Sequence, residues 1–198
     1  MARPPRFDTA LLLDAAVRLA AEHGPTGVTM SAVAAAAGAP SGSLYHRFTG
    51  RPALLAEVWL RTVERFQEGY FAALTSSPDP RTAGCAAARH VVAWCRAHPE
   101  EAALLQYGAR EFGRDGWPEE HRRRADEGNG RIFASVADLA DALGASGPQD
   151  TERVTLAVID VPLTLVRRHL RDGTPLPVHA EELAERCTDA LLVAVPQG

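Results

Sequence analysis

Apolar residues recur at three- and four-residue intervals along most of the chain, and no segment alternates between apolar and polar positions as a strand would. This spacing places the apolar side chains on one face of a helix, as Leu55, Val58, Trp59 and Thr62 show. We therefore predict an all-α protein. Its predicted helices cover residues 7–23, 30–37, 41–47, 51–74, 80–97, 99–112, 118–143, 151–171 and 179–195.

Glycine and proline mark where these helices are expected to end or bend. The segment "HGPTG" ends the first helix, and Pro52 fits the first turn of the long helix that begins near Arg51. Two of the predicted helices contain residues that oppose regular helix geometry. The glycines of "EGNG" at 127–130 are expected to weaken one helix and can split it, and Pro162 is expected to kink or end another.

The stretch "VTMSAVAAAAGAPSGSLYHRF", residues 28–48, has the spacing of a helix-turn-helix. Such a pair needs a small residue where the helices cross, a turn residue that tolerates positive φ, and an apolar anchor on the second helix. Ala34, Gly38 and Leu44 meet these needs in that order. An ordinary alanine-rich bundle with a glycine turn is the alternative interpretation.

Hydroxyl, aromatic and basic side chains surround this turn, and the stretch contains no acidic residue. Thr29 and Ser41 are expected to cap the two short helices. The second helix exposes side chains that can hydrogen-bond to phosphates or base edges, namely Ser41, Ser43, Tyr45, His46 and Arg47. This face is typical of a DNA-binding surface, although Tyr45 or His46 alone would also fit a packing role.

Residues 6–58 resemble the N-terminal DNA-binding region of TetR-family transcriptional regulators. The resemblance rests on a first helix ending in "EHG", a Thr opening the second helix, "VAAAAG", "SGSLYHRF", and Arg51 shortly before Leu54 and Leu55. Beyond Val58 the resemblance is limited to a helical body of suitable length.

The resemblance implies roles for individual residues. Thr29 and Ser31 are expected to contact phosphates, Ser41, Ser43, Tyr45 and His46 to lie on the recognition helix, and Phe48 to pack in the core. Arg51 is expected to bind a phosphate, at a position where lysine is usual in the family. Arg47 departs from the family pattern, in which histidine commonly precedes the Phe. Arg3 and Arg6 are expected to form either a DNA-contacting arm or a solvated terminus.

We expect two domains, a helix-turn-helix DNA-binding domain at residues 1–50 and a helical ligand-binding and dimerisation domain at 51–198. One recognition helix reads few base pairs, so a homodimer on a palindromic double-stranded DNA operator is expected. Apolar residues cover all sides of the helix from Val154 to Val166, which indicates a subunit interface or a fully buried core helix. A second apolar stripe could complete a four-helix interface and comprises Leu183, Cys187, Ala190, Leu191 and Ala194.

Aromatic residues with a few polar neighbours concentrate in the middle helices. They could line a pocket for a small, largely apolar effector, although each also fits an ordinary core. The candidate ligand-binding set is Trp59, Phe66, Tyr70, Trp94, Tyr107, Arg110, Phe112 and Asp160. Asp160 is isolated in an apolar run, and it could cap the bend at Pro162, pair with an arginine across a dimer, or face a ligand.

Composition and charge narrow the functional classes. All 21 basic residues are arginine, and residues 1–51 carry five Arg against three acids, a balance of +2, whereas the rest carries 16 Arg against 22 acids, a balance of −6. A basic head on an acidic body weakly indicates an anionic partner for the head. No apolar run is long enough to span a membrane and no signal peptide is evident, which predicts a cytoplasmic protein.

No catalytic, metal-binding or cofactor-binding motif is found. The three cysteines form no C-x-x-C pair, the histidines have no metal-ligand spacing, and "HRRR" at 121–124 is interpreted as a solvated face. We therefore expect no enzymatic activity, no metal and no cofactor. The expected function is a sequence-specific regulator, a repressor released by its ligand. The alternatives are a constitutive DNA binder and a helical protein whose head binds another protein.

Overall fold

The computed structural model describes residues 8–193, and within this range the regular structure is helical, which confirms the predicted all-α class. The predicted helix positions Phe7 and Ala194, and the candidate arm residues Arg3 and Arg6, lie outside the described residues. The helices are α1 (Thr9–Gly27), α2 (Met30–Ala36), α3 (Ser41–Tyr45), α4 (Arg51–Leu74), α5 (Pro80–Ala97), α6 (Pro99–Leu104), α7 (Glu119–Ala142), α8 (Pro148–Thr155), α9 (Val161–Asp172) and α10 (Ala180–Val193).

The described chain forms two compact units, residues 8–63 with 103–126, and residues 64–102 with 127–193. The domain boundary after residue 50 stays a prediction, and this division into compact units falls inside α4, after Val63. The reason is that the first turns of α4 belong to the core of the first unit. Leu54 and Val58 of α4 are completely buried there together with Leu12, Val33 and Leu44 of the preceding helices.

Helix α1 loses its regular geometry at Gly24, close to the predicted end at residue 23. Gly24 has φ 68° and ψ 177°, a conformation that favours glycine. A short turn containing Pro25 follows, and the Val28 N–H closes it by donating to the Pro25 carbonyl oxygen at 3.3 Å. A side chain at Gly24 would also crowd Tyr107, because an added Cβ would lie 3.3 Å from the Tyr107 hydroxyl.

The predicted helix over 99–112 is wrong in its second half, because α6 ends at Leu104. Glycine explains the change. The Gly108 N–H donates to the Glu111 carboxylate at 3.0 Å, and Gly113 has φ 76°, a value that a continuing right-handed helix does not allow. Residues after Leu104 therefore form turns, and a 3₁₀ turn at Arg114–Gly116 precedes α7.

Helix α7 passes through "EGNG" without a break. Gly128 lies buried against Gln67 of α4, and a Cβ at residue 128 would be 3.3 Å from Gln67 Oε1. The glycine therefore allows close helix packing, and that packing compensates for the low helix propensity of glycine.

Pro162 produces a π-helical turn, Leu156–Asp160, between α8 and α9. Proline has no N–H to donate to the carbonyl of Val158, four residues earlier. The Val161 N–H bonds to Leu156, five residues earlier, and so leaves the Ala157 carbonyl without its usual helical partner. Side chains from other helices bond to both carbonyls: the Tyr70 hydroxyl donates to Val158 O at 3.2 Å, and the Thr188 hydroxyl donates to Ala157 O at 2.7 Å.

Helices α5 and α10 pack closely in the second unit. Gly84 makes this possible, because a Cβ there would lie 2.8 Å from Leu192 Cδ1. Ion pairs line the exposed edge of the contact: Arg81 binds Asp189 through two nitrogens at 2.6 and 2.8 Å, and Arg96 binds Glu181 at 2.9 Å. These arginines help to fix α10, a role that their sequence spacing did not reveal.

Candidate nucleic-acid interface

Helices α2 and α3 form the predicted helix-turn-helix pair. The Thr29 hydroxyl accepts from the Ala32 N–H at 3.1 Å and so caps α2 as expected. Gly38 has φ 62° in the turn, and the Ala39 N–H donates to Ala34 O at 2.9 Å. Ala34 and Leu44 are buried at 3% and 0% exposure. Ala34, Gly38 and Leu44 therefore occupy the helix crossing, the turn and the apolar anchor position, as predicted.

The short helix α3 presents its polar side chains to solvent. Tyr45 is 63% exposed, and Ser41 and His46 are also exposed, whereas Leu44 between them is fully buried. The predicted capping role of Ser41 is wrong, because Pro40 occupies the N-cap position and no side chain caps the helix. The Ser41 hydroxyl therefore makes no capping hydrogen bond at the start of α3.

Two further candidates are less exposed. Ser43 and Arg47 are half-buried, and Arg47 Nη1 donates to the Ser43 carbonyl oxygen at 3.1 Å. At the start of α2, the hydroxyl oxygens of Thr29 and Ser31 lie 3.2 Å apart, with Ser31 exposed. These two hydroxyls form a small polar pair at a helix N-terminus, where anions are favoured. Phe48 is buried at 4% exposure, in agreement with its expected core position.

Arg51 has a structural role that the sequence did not reveal. Its Nε donates to the Val28 carbonyl oxygen at 2.7 Å, and its Nη2 donates to the Pro25 carbonyl oxygen at 2.9 Å. Both carbonyls belong to the turn that ends α1. The half-buried guanidinium therefore joins the start of α4 to the segment that leads into α2.

Ionisable side chains on other helices also fix the first unit. Arg61 of α4 donates to Asp14 of α1 at 2.5 Å. His121 and Arg124 lie 3.0 and 2.6 Å from the Glu57 carboxylate, and His121 is buried. The interpretation of "HRRR" as a solvated face is therefore wrong for these two residues. Sequence periodicity could not show this contact, because Glu57 is distant in the chain.

The candidate ligand residues are distributed over both units. Trp59 and Phe112 lie in the core of the first unit, where Trp59 packs on Trp117 with ring centroids 5.6 Å apart. In the same unit Tyr107 is half-buried, its ring centroid is 6.3 Å from that of Phe112, and Arg110 is exposed.

The second unit contains an aromatic cluster formed by Phe66, Tyr70, His90 and Trp94. The Phe66 ring centroid lies 6.1, 5.7 and 5.3 Å from the ring centroids of Tyr70, His90 and Trp94. His90 Nε2 is 3.2 Å from the Phe66 carbonyl oxygen. Burial lowers the pKa of His90, and this hydrogen bond opposes the shift in part. Burial also raises the pKa of Tyr70 well above its usual range, so that the phenol stays a donor.

Asp160 is exposed at the edge of a groove of about 300 Å³ between α9 and α10. Apolar side chains form most of the groove, and Leu156 and Leu183 in its wall are 43% and 40% exposed. The idea that Asp160 caps the bend is wrong, because its side chain makes no capping hydrogen bond to α9. Of the three roles considered for Asp160, the structure leaves a dimer contact and a ligand contact.

Other chemistry is limited in residues 8–193. No group of three His, Cys, Asp or Glu side chains there could hold a metal ion, and no helix there is long and apolar enough to cross a membrane. Cys85 and Cys95 are buried, and burial raises the pKa of their thiols to about 11 and about 12. These two thiols are therefore protonated near neutral pH and weakly reactive.

Residues 12–58 match the family model described as bacterial regulatory proteins, tetR family. The chain therefore carries the N-terminal domain of the TetR family. The matched TetR-family segment contains every candidate DNA-contact residue from Thr29 to Arg51. No curated protein matches the chain.

Solved structures share the fold over almost the whole chain. The fatty acid degradation regulator FadR from Bacillus halodurans has 16% identity and a TM-score of 0.73, covering 96% of this chain and 100% of FadR. FadR from Bacillus subtilis in complex with stearoyl-CoA has 14% identity and a TM-score of 0.74, with the same coverage. The TetR-family regulator PfmR from Thermus thermophilus has 18% identity and a TM-score of 0.70, covering 98% of this chain and 100% of PfmR. The chain thus has the fold of TetR-family transcriptional regulators.

Proposed function

We propose that the protein is a dimeric repressor that binds a palindromic operator and is released by a small, largely apolar ligand. One observation carries the DNA-binding part of this proposal. The buried Leu44 anchors a helix that exposes Tyr45 and His46, within a segment that matches the TetR family. Side chains presented in this way can reach base edges in a major groove.

Base and phosphate contacts are assigned to different residues. Tyr45, His46 and Ser41 are proposed to read bases because they are the exposed polar residues of the recognition helix. Thr29 and Ser31 are proposed to bind phosphate at the N-terminus of α2. Ser43 and Arg47, which are half-buried, are proposed to contribute at the edge of this surface.

Arg51 is proposed to combine two roles. Its two hydrogen bonds to Pro25 and Val28 position the α1–α2 connection. Neither bond uses Nη1, so this nitrogen remains available as a donor to a DNA phosphate. The proposed phosphate contact is then secondary to the positioning role.

The dimer is proposed to form through α9 and α10. The groove between them exposes Leu156 and Leu183, apolar side chains that a second subunit would remove from water. Val154 and Val166 face inward and are fully or almost fully buried within the protomer. The apolar run predicted from the sequence therefore supplies both a core face and an exposed face.

The ligand is proposed to bind beside the aromatic cluster of the second unit. Phe66 is half-buried, and Trp94 and Tyr70 pack against it. Trp59 and Phe112 lie in the core of the first unit, outside this cluster, and are assigned a packing role. A fold neighbour, FadR from Bacillus subtilis, was solved in complex with stearoyl-CoA, which supports testing long acyl chains first.

Binding to the promoter upstream of the protein's own gene tests the DNA-binding proposal. A mobility-shift titration at several salt concentrations should show affinity that falls steeply with salt, because phosphate contacts release counterions. A shuffled duplex of equal length is the control and should bind more weakly. Equal, weak binding of both duplexes would contradict sequence-specific regulation and favour a protein-interaction role for the head.

A further inference from the structure

The groove between α9 and α10 combines an apolar wall with two opposite charges. Asp160, at the end of the π-helical turn, and Thr164 and Arg168 of α9 line it at four-residue intervals, which places them in one stripe along the helix. Leu183 and Cys187 of α10 form the facing wall. A surface of this composition is suited to a protein partner that is apolar and carries charges of both signs.

The two charges do not satisfy each other within one protomer. Eight residues of helix separate Asp160 from Arg168 by about 12 Å along the axis. Among residues 8–193, Asp160 has no hydrogen-bond or ion-pair partner, and the Arg168 guanidinium contacts only His169 Nε2, at 3.4 Å. A partner that covered the groove without pairing these charges would leave them desolvated, which is strongly unfavourable.

Two-fold symmetry can satisfy both charges at once. When two copies of one helix pack antiparallel about a two-fold axis, a residue n positions before the axis faces the partner residue n positions after it. Asp160 and Arg168 are equally distant from Thr164. An axis that crosses α9 at Thr164 would therefore bring Asp160 of each copy to Arg168 of the partner subunit. The small side chain of Thr164 suits a close helix crossing.

We propose that a second copy of this chain covers the groove in this register, with α9 antiparallel to α9 of the partner subunit and two reciprocal Asp160–Arg168 ion pairs. The inference rests on the proposed dimer. It specifies the helix register of that dimer and the ion pairs that select this register. The apolar wall supplies the attraction, whereas the ion pairs select one alignment of the helices.

Single charge reversals test the register. In the Asp160→Arg homodimer two positive charges would face each other at each former ion pair, and in the Arg168→Asp homodimer two negative charges would do so. Each variant is expected to raise the dimer dissociation constant by about 100-fold or more, measured by sedimentation equilibrium. Matched controls reverse an exposed charge outside the groove, Asp141→Arg and Arg18→Asp, and should dimerise like the unmodified protein.

Mixing the two variants gives the decisive result. A heterodimer of Asp160→Arg with Arg168→Asp has opposite charges at both contacts if the register is right, so the mixture should form a dimer that neither variant forms well alone. The double variant Asp160→Arg/Arg168→Asp restores both opposite-charge pairs in a homodimer and should recover the dimer. It also covers the case in which a single variant fails to fold. Circular dichroism checks the folded state of every sample.

The outcomes separate this inference from the proposed function. If the single variants dimerise normally, or if the double variant does not recover the dimer, the proposed register is wrong. A normal dimer that binds the operator in those cases leaves the regulatory function intact. If the unmodified protein is monomeric and does not bind the operator, the proposed function and this inference both fail.

Discussion

Individual side chains on α3 separate anchoring from recognition. Leu44 is completely buried, whereas its neighbours Tyr45 and His46 are exposed. Replacing an exposed residue opens no cavity, so a loss of operator binding in such a variant would report the loss of a proposed DNA contact. Burial therefore distinguishes residues that build the recognition helix from those available to read DNA.

We predict that Tyr45→Ala and His46→Ala each weaken operator binding by about 1–3 kcal/mol, the usual cost of losing a base contact. Mobility-shift titrations measure the change, and circular dichroism with sedimentation should show unchanged helicity and dimerisation. Glu22→Gln, at an exposed position on α1, is the control. Unchanged affinity in both recognition-helix variants would remove α3 from the DNA interface.

Substitutions at Arg51 can separate its positioning role from its proposed phosphate contact. Arg51→Ala should lower the free energy of unfolding by about 1–3 kcal/mol, because two hydrogen bonds from a charged group are lost. It should also weaken specific and random DNA alike and make the salt slope shallower by about one.

Arg51→Lys completes this test, because lysine keeps the charge but lacks the planar fork that bonds two carbonyls. It should reduce thermal stability while keeping most of the salt slope. Denaturant titrations and binding at several salt concentrations measure the two properties. Full stability in both variants would show that the carbonyl contacts contribute little.

His90 makes stability depend on pH. Burial lowers its pKa in the folded protein, so below about pH 6.5 the unfolded chain binds more protons at this residue. The contribution of His90 to stability is therefore present at higher pH and is lost as pH falls through this range. His90→Gln should reduce the loss of stability between about pH 7.5 and 5.5 in urea titrations. The exposed His179→Gln should not reproduce this difference.

At the scale of elements, the π-helical turn shows how one proline changes several contacts. Tyr70 of α4 and Thr188 of α10 bond to the carbonyls of Val158 and Ala157. Pro162 removes the N–H that would bond to Val158 in a regular helix. The turn is thus connected to two other helices of the second unit by buried hydrogen bonds.

We predict that Tyr70→Phe lowers the free energy of unfolding by about 1–3 kcal/mol, because the buried Val158 carbonyl loses its donor. In a Pro162→Ala background, residue 162 regains an N–H that can bond to Val158, so the same substitution should cost less. A double-mutant cycle in urea measures this coupling. Additive effects would contradict the compensation between Tyr70 and the missing proline donor.

Helix positions were predictable wherever apolar spacing and terminal residues agreed. Both ends of the range 51–74 were predicted correctly because Leu55, Val58 and Tyr70 follow a helical repeat and Pro52 marks its start. The range 99–112 failed because its apolar residues continue past Leu104 while Gly108 and Gly113 form turns. Helix α7 continues through its glycines because Gly128 packs on Gln67, a residue distant in sequence that the local pattern does not show.

At the scale of the whole molecule, the local geometry of the helix-turn-helix was easier to predict from the sequence than the tertiary contacts that support it. Thr29, Gly38 and Leu44 act locally, so spacing and residue type were sufficient to place them. Arg51 bonds to carbonyls more than twenty residues earlier, and Glu57 meets His121 across a long interval. Such tertiary contacts do not produce a periodic pattern. The same limit applies to the candidate ligand residues, most of which are aromatic but which belong to two compact units.

Ligand control of DNA binding is the last prediction. A ligand with a long apolar chain should stabilise the protein in a thermal-shift assay and release the operator. About 3 kcal/mol of differential affinity between the two states of the protein is sufficient to change operator occupancy more than a hundredfold. Fatty acids and their CoA thioesters of increasing length are the first compounds to test, and they separate recognition of the chain from recognition of the head group.

Variants in the aromatic cluster make this prediction specific. Phe66→Ala and Trp94→Ala should reduce ligand-induced stabilisation and operator release, because both remove apolar surface from the proposed site. Phe133→Ala removes an aromatic ring that is 66% exposed and should respond to ligand normally. Operator binding without ligand should persist in folded variants, since none of the three residues lies in the TetR-family segment. If no compound stabilises the protein or frees the operator, constitutive DNA binding replaces the ligand-controlled repressor.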